Sequence, residues 1–298
     1  PPPVVDPPGH VALISHSGST WSGLVGNQRQ LRFSYAISAG QEIATSVADY
    51  IQFMLTQPET RVIACILETV RDPEAFIAAI DAAERKGIPV VALKLGRSEA
   101  GQRFALAHSG ALTGSDTAFG AVLRRHNVVA VRTVDELTDT VEMLQCQRAP
   151  TGSGIGAVTD SGGARELIVD LASDLGAPLA QFTDATARRL AEVLDPGMTP
   201  FNPVDSYGDG RTLIEDCLKI VADDPNVGIA ALATNLVHGR PYVKVSSATV
   251  ENVSAGCAKP TVLFGHIHST VSREEASRLR ALGIPVLMGT PTALQAMT

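Results

Sequence analysis

Apolar residues fall in short unbroken runs separated by longer stretches of mixed character. "HVALIS" (10–15), "RFSYAIS" (32–38), "RVIACIL" (61–67), "IPVVALKL" (88–95) and "VVAVR" (128–132) have strand length. The segments between them predict helices from Ser19 to Gln30, Gln41 to Leu55, Asp72 to Lys86, Asp116 to His126 and Val134 to Gln145. Strands alternating with helices read as βαβ units and a parallel sheet. The span after residue 95, "FALAHSGALTGSD" at 104–116, predicts a loop of small residues around one histidine, His108.

After "APTGSG" (149–154) the plan starts again. "GIGAVTDSGGARELIVDLASDLG" (154–176) mirrors "GHVALISHSGSTWSGLVGNQRQ" (9–30), each a strand, a Ser-Gly turn and a helix. "NVGIAALATNL" (226–236), "KPTVLFG" (259–265) and "GIPVLMG" (283–289) supply further strands. The expectation is α/β: two similar lobes, each a parallel sheet flanked by helices. Their predicted bounds are 9–148 and 154–298, with linkers at 1–8 and 149–153. The proline-rich start reads as an extended interdomain linker, so a domain is expected to precede it.

Composition narrows the function. Hydrophobic residues make up 45% and aromatics 4%, so the cores are built from aliphatic side chains. A net charge of −7 argues against a nucleic-acid partner. Cys65, Cys146, Cys217 and Cys257 form no CxxC pair, as in a reduced cytoplasmic protein. No apolar run reaches the roughly 18 residues of a membrane span. "GSGIG" (152–156) precedes a strand where a nucleotide loop would follow one. His266 and His268 stand two apart with no third ligand evident, so no metal site is expected. Self-association into a homo-oligomer is left open.

Candidate chemistry lies in two strand-to-helix turns, "SHSGST" (15–20) and "DSGGAR" (160–165). A helix N-terminus presents unpaired N–H groups and partial positive charge, and glycine lets an anion close to the backbone. Ser15, Ser17, Gly18 and Ser19 in the first turn, and Ser161, Gly162 and Gly163 in the second, are therefore candidate phosphate contacts. Ordinary helix capping by the serines accounts for them equally. His108, beside Ser109 and Gly110, suits a transient phosphoryl carrier, a general base or a chance loop histidine. Glu68 closes an apolar strand, where α/β ligands sit, and is a candidate to fix the tautomer of an imidazole. Asn202 and Asp205 are weaker candidates for a substrate pocket. Two rivals remain: a hydrolase with Ser17 as elbow nucleophile, and a non-catalytic module binding acyl-CoA or another anion.

"HSGALTGSD" (108–116) resembles the phosphohistidine loop of the ADP-forming acyl-CoA synthetases, in the succinyl-CoA synthetase superfamily. "VALISHSGS" (11–19), "LKLGRSEAGQRFALAHSGALTGSD" (93–116), "AVTDSGGARELIVD" (157–170) and "FNPVDSYGDG" (201–210) extend the resemblance over nearly the whole chain. It implies that His108 takes a phosphoryl group from an acyl phosphate, that Glu68 orients it, and that helices beginning near Ser17 and Ser161 cradle it. It implies that the two lobes are flavodoxin-like, and it implies the reversible reaction of a carboxylic acid, CoA and ATP to acyl-CoA, ADP and phosphate. CoA, ATP or ADP and Mg2+ would serve the complete enzyme through a CoA-binding domain and an ATP-grasp domain, in the same chain or a partner. No cofactor bound by this chain itself is expected. His16 departs from the Gln or Arg often found in the family's first turn.

Overall fold

The computed structural model describes residues 9–29, 31–109, 115–146, 148–207 and 211–298, except for the side chains of residues 108, 109, 211 and 212. The chain divides into two compact units, Pro1–Gln145 and Cys146–Thr298.

In the first unit, β1 (Val11–Ser15) leads through a Ser-Gly turn into α1 (Gly18–Val25). β2 (Phe33–Ser38), α2 (Val47–Met54), β3 (Val62–Leu67), α3 (Pro73–Arg85) and β4 (Val90–Lys94) follow. Then come α4 (Glu99–Ser109), α5 (Asp116–Arg125), β5 (Val129–Val131) and α6 (Val134–Leu144). The sheet order is β2-β1-β3-β4-β5, with every pair parallel.

The period of two along each strand divides the core. Ala12, Ile14, Ile63, Cys65 and Leu67 face α2, α3 and α5 through Ile51, Met54, Phe76, Ile80 and Leu123. Val11, Leu13, Val62, Ala64 and Ile66 face α1 and α6 through Leu24, Leu137 and Val141. Every residue of β1, β3 and β4 is buried, which explains the unbroken apolar runs.

The helix starts follow capping chemistry more closely than hydrophobic pattern. α2 begins at Val47, later than the expected Gln41, because Ser46 and Asp49 close a capping box there. Ahead of it, Gly40 and Glu42 both have positive φ, which breaks any helix. α3 starts where Asp72 caps and Pro73 occupies the first turn. The expected loop after β4 is a helix instead: α4 runs through His108. Phe104 and Leu106 on α4 are exposed, so no core-facing stripe announced it.

The second unit repeats the plan. β6 (Gly154–Thr159), α7 (Gly162–Leu175), α8 (Asp184–Val193), β7 (Val204–Asp205) and α9 (Arg211–Asp223) come first. β8 (Val227–Ala233), α10 (Tyr242–Gly256), β9 (Thr261–Phe264), α11 (Arg273–Ala281), β10 (Val286–Leu287) and α12 (Thr290–Ala296) complete it. Its parallel sheet has the order β10-β9-β8-β6-β7. Counted from the first strand of each unit, both sheets read 2-1-3-4-5, the flavodoxin-like order. β7, unforeseen in the sequence, is a two-residue edge strand beside β6.

The glycines of "GSGIG" answer to packing. A Cβ on Gly152 would lie 2.6 Å from the Val227 carbonyl carbon, and one on Gly154 would lie 2.7 Å from Ala180 Cα. One on Gly156 would lie 2.6 Å from Val221 Cγ1. Each distance is below van der Waals contact, so a side chain there would displace its neighbours.

Candidate active site at the carboxyl edge of the first sheet

In a 2-1-3-4-5 sheet the ligand crevice lies at the carboxyl ends of strands 1 and 3, where the winding reverses. The first unit places the Ser15–Gly18 turn at the end of β1 and Glu68 just beyond β3. Ser17 caps α1, accepting from the Thr20 amide at 3.3 Å and lying 2.9 Å from Thr20 Oγ1. Ser15 Oγ donates to the Ser17 carbonyl at 2.9 Å and accepts from the Ser17 amide at 3.2 Å. The first turn of α1 carries no acidic residue, so the helix's positive end is unopposed by charge of its own.

His16, in the same turn, is buried. Its Nδ1 accepts from the Glu68 amide at 3.1 Å, and its Nε2 lies 3.0 Å from Glu42 Oε1. An N–H pointing at Nδ1 requires a lone pair there, so the ring proton sits on Nε2 and is donated to Glu42. The Glu42 carboxylate is buried, held on a residue with φ of 52°, and its Oε2 has no hydrogen-bond partner among the described residues. Lys94, ending β4, donates from Nζ to the carbonyls of Glu68 at 2.8 Å and Leu95 at 2.7 Å. Burial holds that ammonium below the ordinary lysine range, against the attraction of Asp116 and Glu68. Burial, with the Glu42 charge, pushes the Cys65 thiol up to about 12, so it stays protonated and inert.

His108 and Ser109 lie in the last turn of α4, and Gly110 falls outside the described residues. Arg97 and Asp116 face each other at 3.3 Å from either side of that stretch.

In the second unit, Ser161 caps α7, accepting from the Ala164 amide at 3.4 Å, with Gly162 and Gly163 in the first turn. This end is more acidic than that of α1. Asp205 Oδ2 lies 3.2 Å from where a Gly162 Cβ would stand, and Asp160, just before the cap, accepts from Thr234 at 2.8 Å. Asp205 and Gly162 line a hollow that also meets Arg165 and Glu166. Asn202 serves the scaffold. Its amide donates to the carbonyls of Ile155 at 2.7 Å and Ala180 at 2.8 Å, and its oxygen accepts from the Ala157 amide at 2.9 Å. Those bonds use both amide hydrogens, so Asn202 ties β6 to its surroundings and has no donor left for a substrate. His266 bonds Thr290 at 2.8 Å, and His268 lies in a short 3-10 turn. Among the described residues no three His, Cys, Asp or Glu side chains gather as a metal site.

Residues 8–144 match the succinyl-CoA ligase like flavodoxin domain family. Over 297 residues the chain is 31% identical to a trans-feruloyl-CoA synthase from an unknown prokaryotic organism, covering 96% of this chain and 42% of that protein. It is 32% identical over 226 residues to the alpha subunit of acetate–CoA ligase (ADP-forming) II of Pyrococcus furiosus, covering 74% and 49% respectively. The chain is thus similar to ADP-forming acyl-CoA ligases, and its residues 8–144 to their succinyl-CoA ligase like flavodoxin domain. The acetyl-coenzyme A synthetase 1 of Ca. Korarchaeum cryptofilum, solved with phosphate and ADP, shares the two-unit fold: TM-score 0.84 at 22% identity, over 97% of this chain and 63% of that one. The chain spans less than half the length of the first two of these relatives.

The first unit places Ser15, Ser17, Gly18 and Glu68 at one sheet edge. Two participants were missed. Glu42 is 26 residues from His16, and Lys94 reaches Glu68 across 26 residues, so neither pairing has a local signature.

Proposed function

We propose that this chain carries the phosphoryl-transfer lobes of an ADP-forming acyl-CoA synthetase, with His108 as the carrier. Phosphate attacks the thioester of an acyl-CoA, releasing CoA and forming an acyl phosphate. The imidazole of His108 attacks that phosphorus, and the carboxylic acid leaves with the bridging oxygen. Phospho-His108 then gives its phosphoryl group to ADP, regenerating the free imidazole. The reverse sequence makes acyl-CoA from acid, CoA and ATP.

The observation that carries this reading is the convergence of the uncharged N-terminus of α1 and of Glu68 on the β1/β3 edge of a family-matched sheet. The helix end stabilises the transferring anion. Glu68 accepts a hydrogen bond from the imidazole and fixes its tautomer. Nucleotide with Mg2+, and CoA, would be held by ATP-grasp and CoA-binding parts in the same or a partner chain. The acid belongs to the carboxylic acids for which the relatives are named, acetate and ferulate.

The hydrolase reading is disfavoured. Ser17 Oγ is engaged with Ser19, Thr20 and the Thr20 amide, while the neighbouring His16 is turned to Glu42. The test is labelling with 32P-acetyl phosphate. The reading expects acid-labile, base-stable phosphate on the wild-type chain and none on His108→Ala. Label that survives in His108→Ala, or none on the wild type, refutes it.

A further inference from the structure

Glu68 has an unusual backbone environment. It stands one residue past the end of β3. Beside it the ladder still runs: the His16 amide donates to the Ile66 carbonyl at 2.9 Å, and the Leu95 amide donates to the Leu67 carbonyl at 2.8 Å. At Glu68 side chains take over. Its N–H goes to His16 Nδ1 at 3.1 Å, and its C=O receives Lys94 Nζ at 2.8 Å. Both bonds come from buried groups, and both groups are anchored in turn. His16 gives its other ring nitrogen to Glu42 at 3.0 Å, and Lys94 also holds the Leu95 carbonyl at 2.7 Å.

The chemistry of this clamp is directional. The Glu68 amide can be accepted only by an imidazole with a bare Nδ1, and the buried Glu42 carboxylate selects that tautomer by taking the Nε2 proton. A buried carboxylate and a buried ammonium are each costly. Here the ammonium bonds the Glu68 carbonyl directly, and the carboxylate reaches the Glu68 amide through His16. Glu68 is the carboxylate that the proposed function assigns to His108.

We propose that His16, set by Glu42, and Lys94 are positioning residues that fix the backbone of Glu68 and so aim its carboxylate in phosphoryl transfer. The inference rests on the phosphohistidine reading and deepens it. Neither side chain touches the phosphoryl group; both act through Glu68.

The experiment follows the initial rate of His108 labelling by 32P-acetyl phosphate in the wild type, His16→Leu, His16→Gln, Lys94→Met, Glu68→Gln and the double variant His16→Leu/Glu68→Gln. Circular dichroism and unfolding midpoints report folding. A misaligned catalytic group loses roughly tenfold to a hundredfold in rate, and His16→Leu and Lys94→Met are expected in that range. His16→Gln restores most of the rate, because its amide oxygen accepts from Glu68 while its NH2 donates to Glu42. In the Glu68→Gln background, His16→Leu costs less than about twofold further, since residues acting through one another are not additive. The proposal is overturned if His16→Leu labels at the wild-type rate, if Gln rescues no better than Leu, or if the two losses multiply. Should His16→Leu fail to fold, His16→Gln and Lys94→Met, each alone and combined with Glu68→Gln, decide the matter by the same comparison. A wild type that takes no label at His108 takes down the parent reading and this one together. A labelled wild type with an indifferent clamp takes down this one alone.

Discussion

Arg29 follows α1 and reaches three side chains of α6. Its Nη2 pairs with Asp139, its Nε donates to Glu142 at 2.7 Å, and its Nη1 donates to Thr138 at 3.1 Å. The Arg29 side chain is 10% exposed, and those of Asp139 and Glu142 are 1% and 8% exposed, so this is a buried cluster. Burial alone would lower the Arg29 pKa, but Glu142 and Asp139 raise it overall, and the cation is permanent. Arg29→Met keeps most of the stem and removes the charge from two buried carboxylates. Breaking a buried pair this way costs about 3–5 kcal/mol, a third or more of the roughly 5–15 kcal/mol that holds a domain together. Urea unfolding at pH 7 measures the loss. The triple variant Arg29→Met/Asp139→Asn/Glu142→Gln, which neutralises the carboxylates as well, should recover stability relative to Arg29→Met. A deficit below about 1 kcal/mol, or a triple variant no more stable than Arg29→Met, would refute the reasoning.

Two further outcomes test the second unit. Gly156→Ala should destabilise it by about 1–3 kcal/mol through overpacking against Val221 and Val227; melting curves should show the loss and its relief by Val221→Ala. Asp224 is buried and accepts from the amides of Thr183 and Asn226, each at 2.8 Å. Burial would raise its pKa, but bonds from Thr186, Thr183 and Asn226 hold it below the ordinary value. The stability it lends is thus full above the unfolded carboxylate pKa and is lost as pH falls through the depressed folded one. Asp224→Ala should cost about 1–3 kcal/mol at pH 7, and chemical denaturation should find that gap closing in acid.

The strands were legible because the parallel arrangement buries both faces, so β1, β3 and β4 carry unbroken apolar runs. The twofold repeat was legible because strand, Ser-Gly turn and helix recur in order. α4 was not, since Phe104 is 75% exposed and Leu106 50% exposed, and a helix with its apolar residues in solvent has no periodic imprint. β7 is two residues at a sheet edge, below the length at which a pattern exists. At the candidate site, Ser17 and Glu68 could be placed at the sheet edge because turns and strand ends are local features. The partners of His16 were not, because Glu42 and Glu68 lie 26 and 52 residues away and meet it only in the folded sheet.

Glu42 stands at φ of 52°, where a side chain bearing Cβ costs roughly 1–2 kcal/mol and a glycine would rest at ease. A sequence optimised for robustness alone would have chosen the smaller residue. That this one carries a carboxyl group marks a trade: some resistance to unfolding is forgone so that an imidazole 26 positions earlier keeps one proton on one nitrogen. Substitutions that toughen this loop should be judged by whether that proton keeps its address.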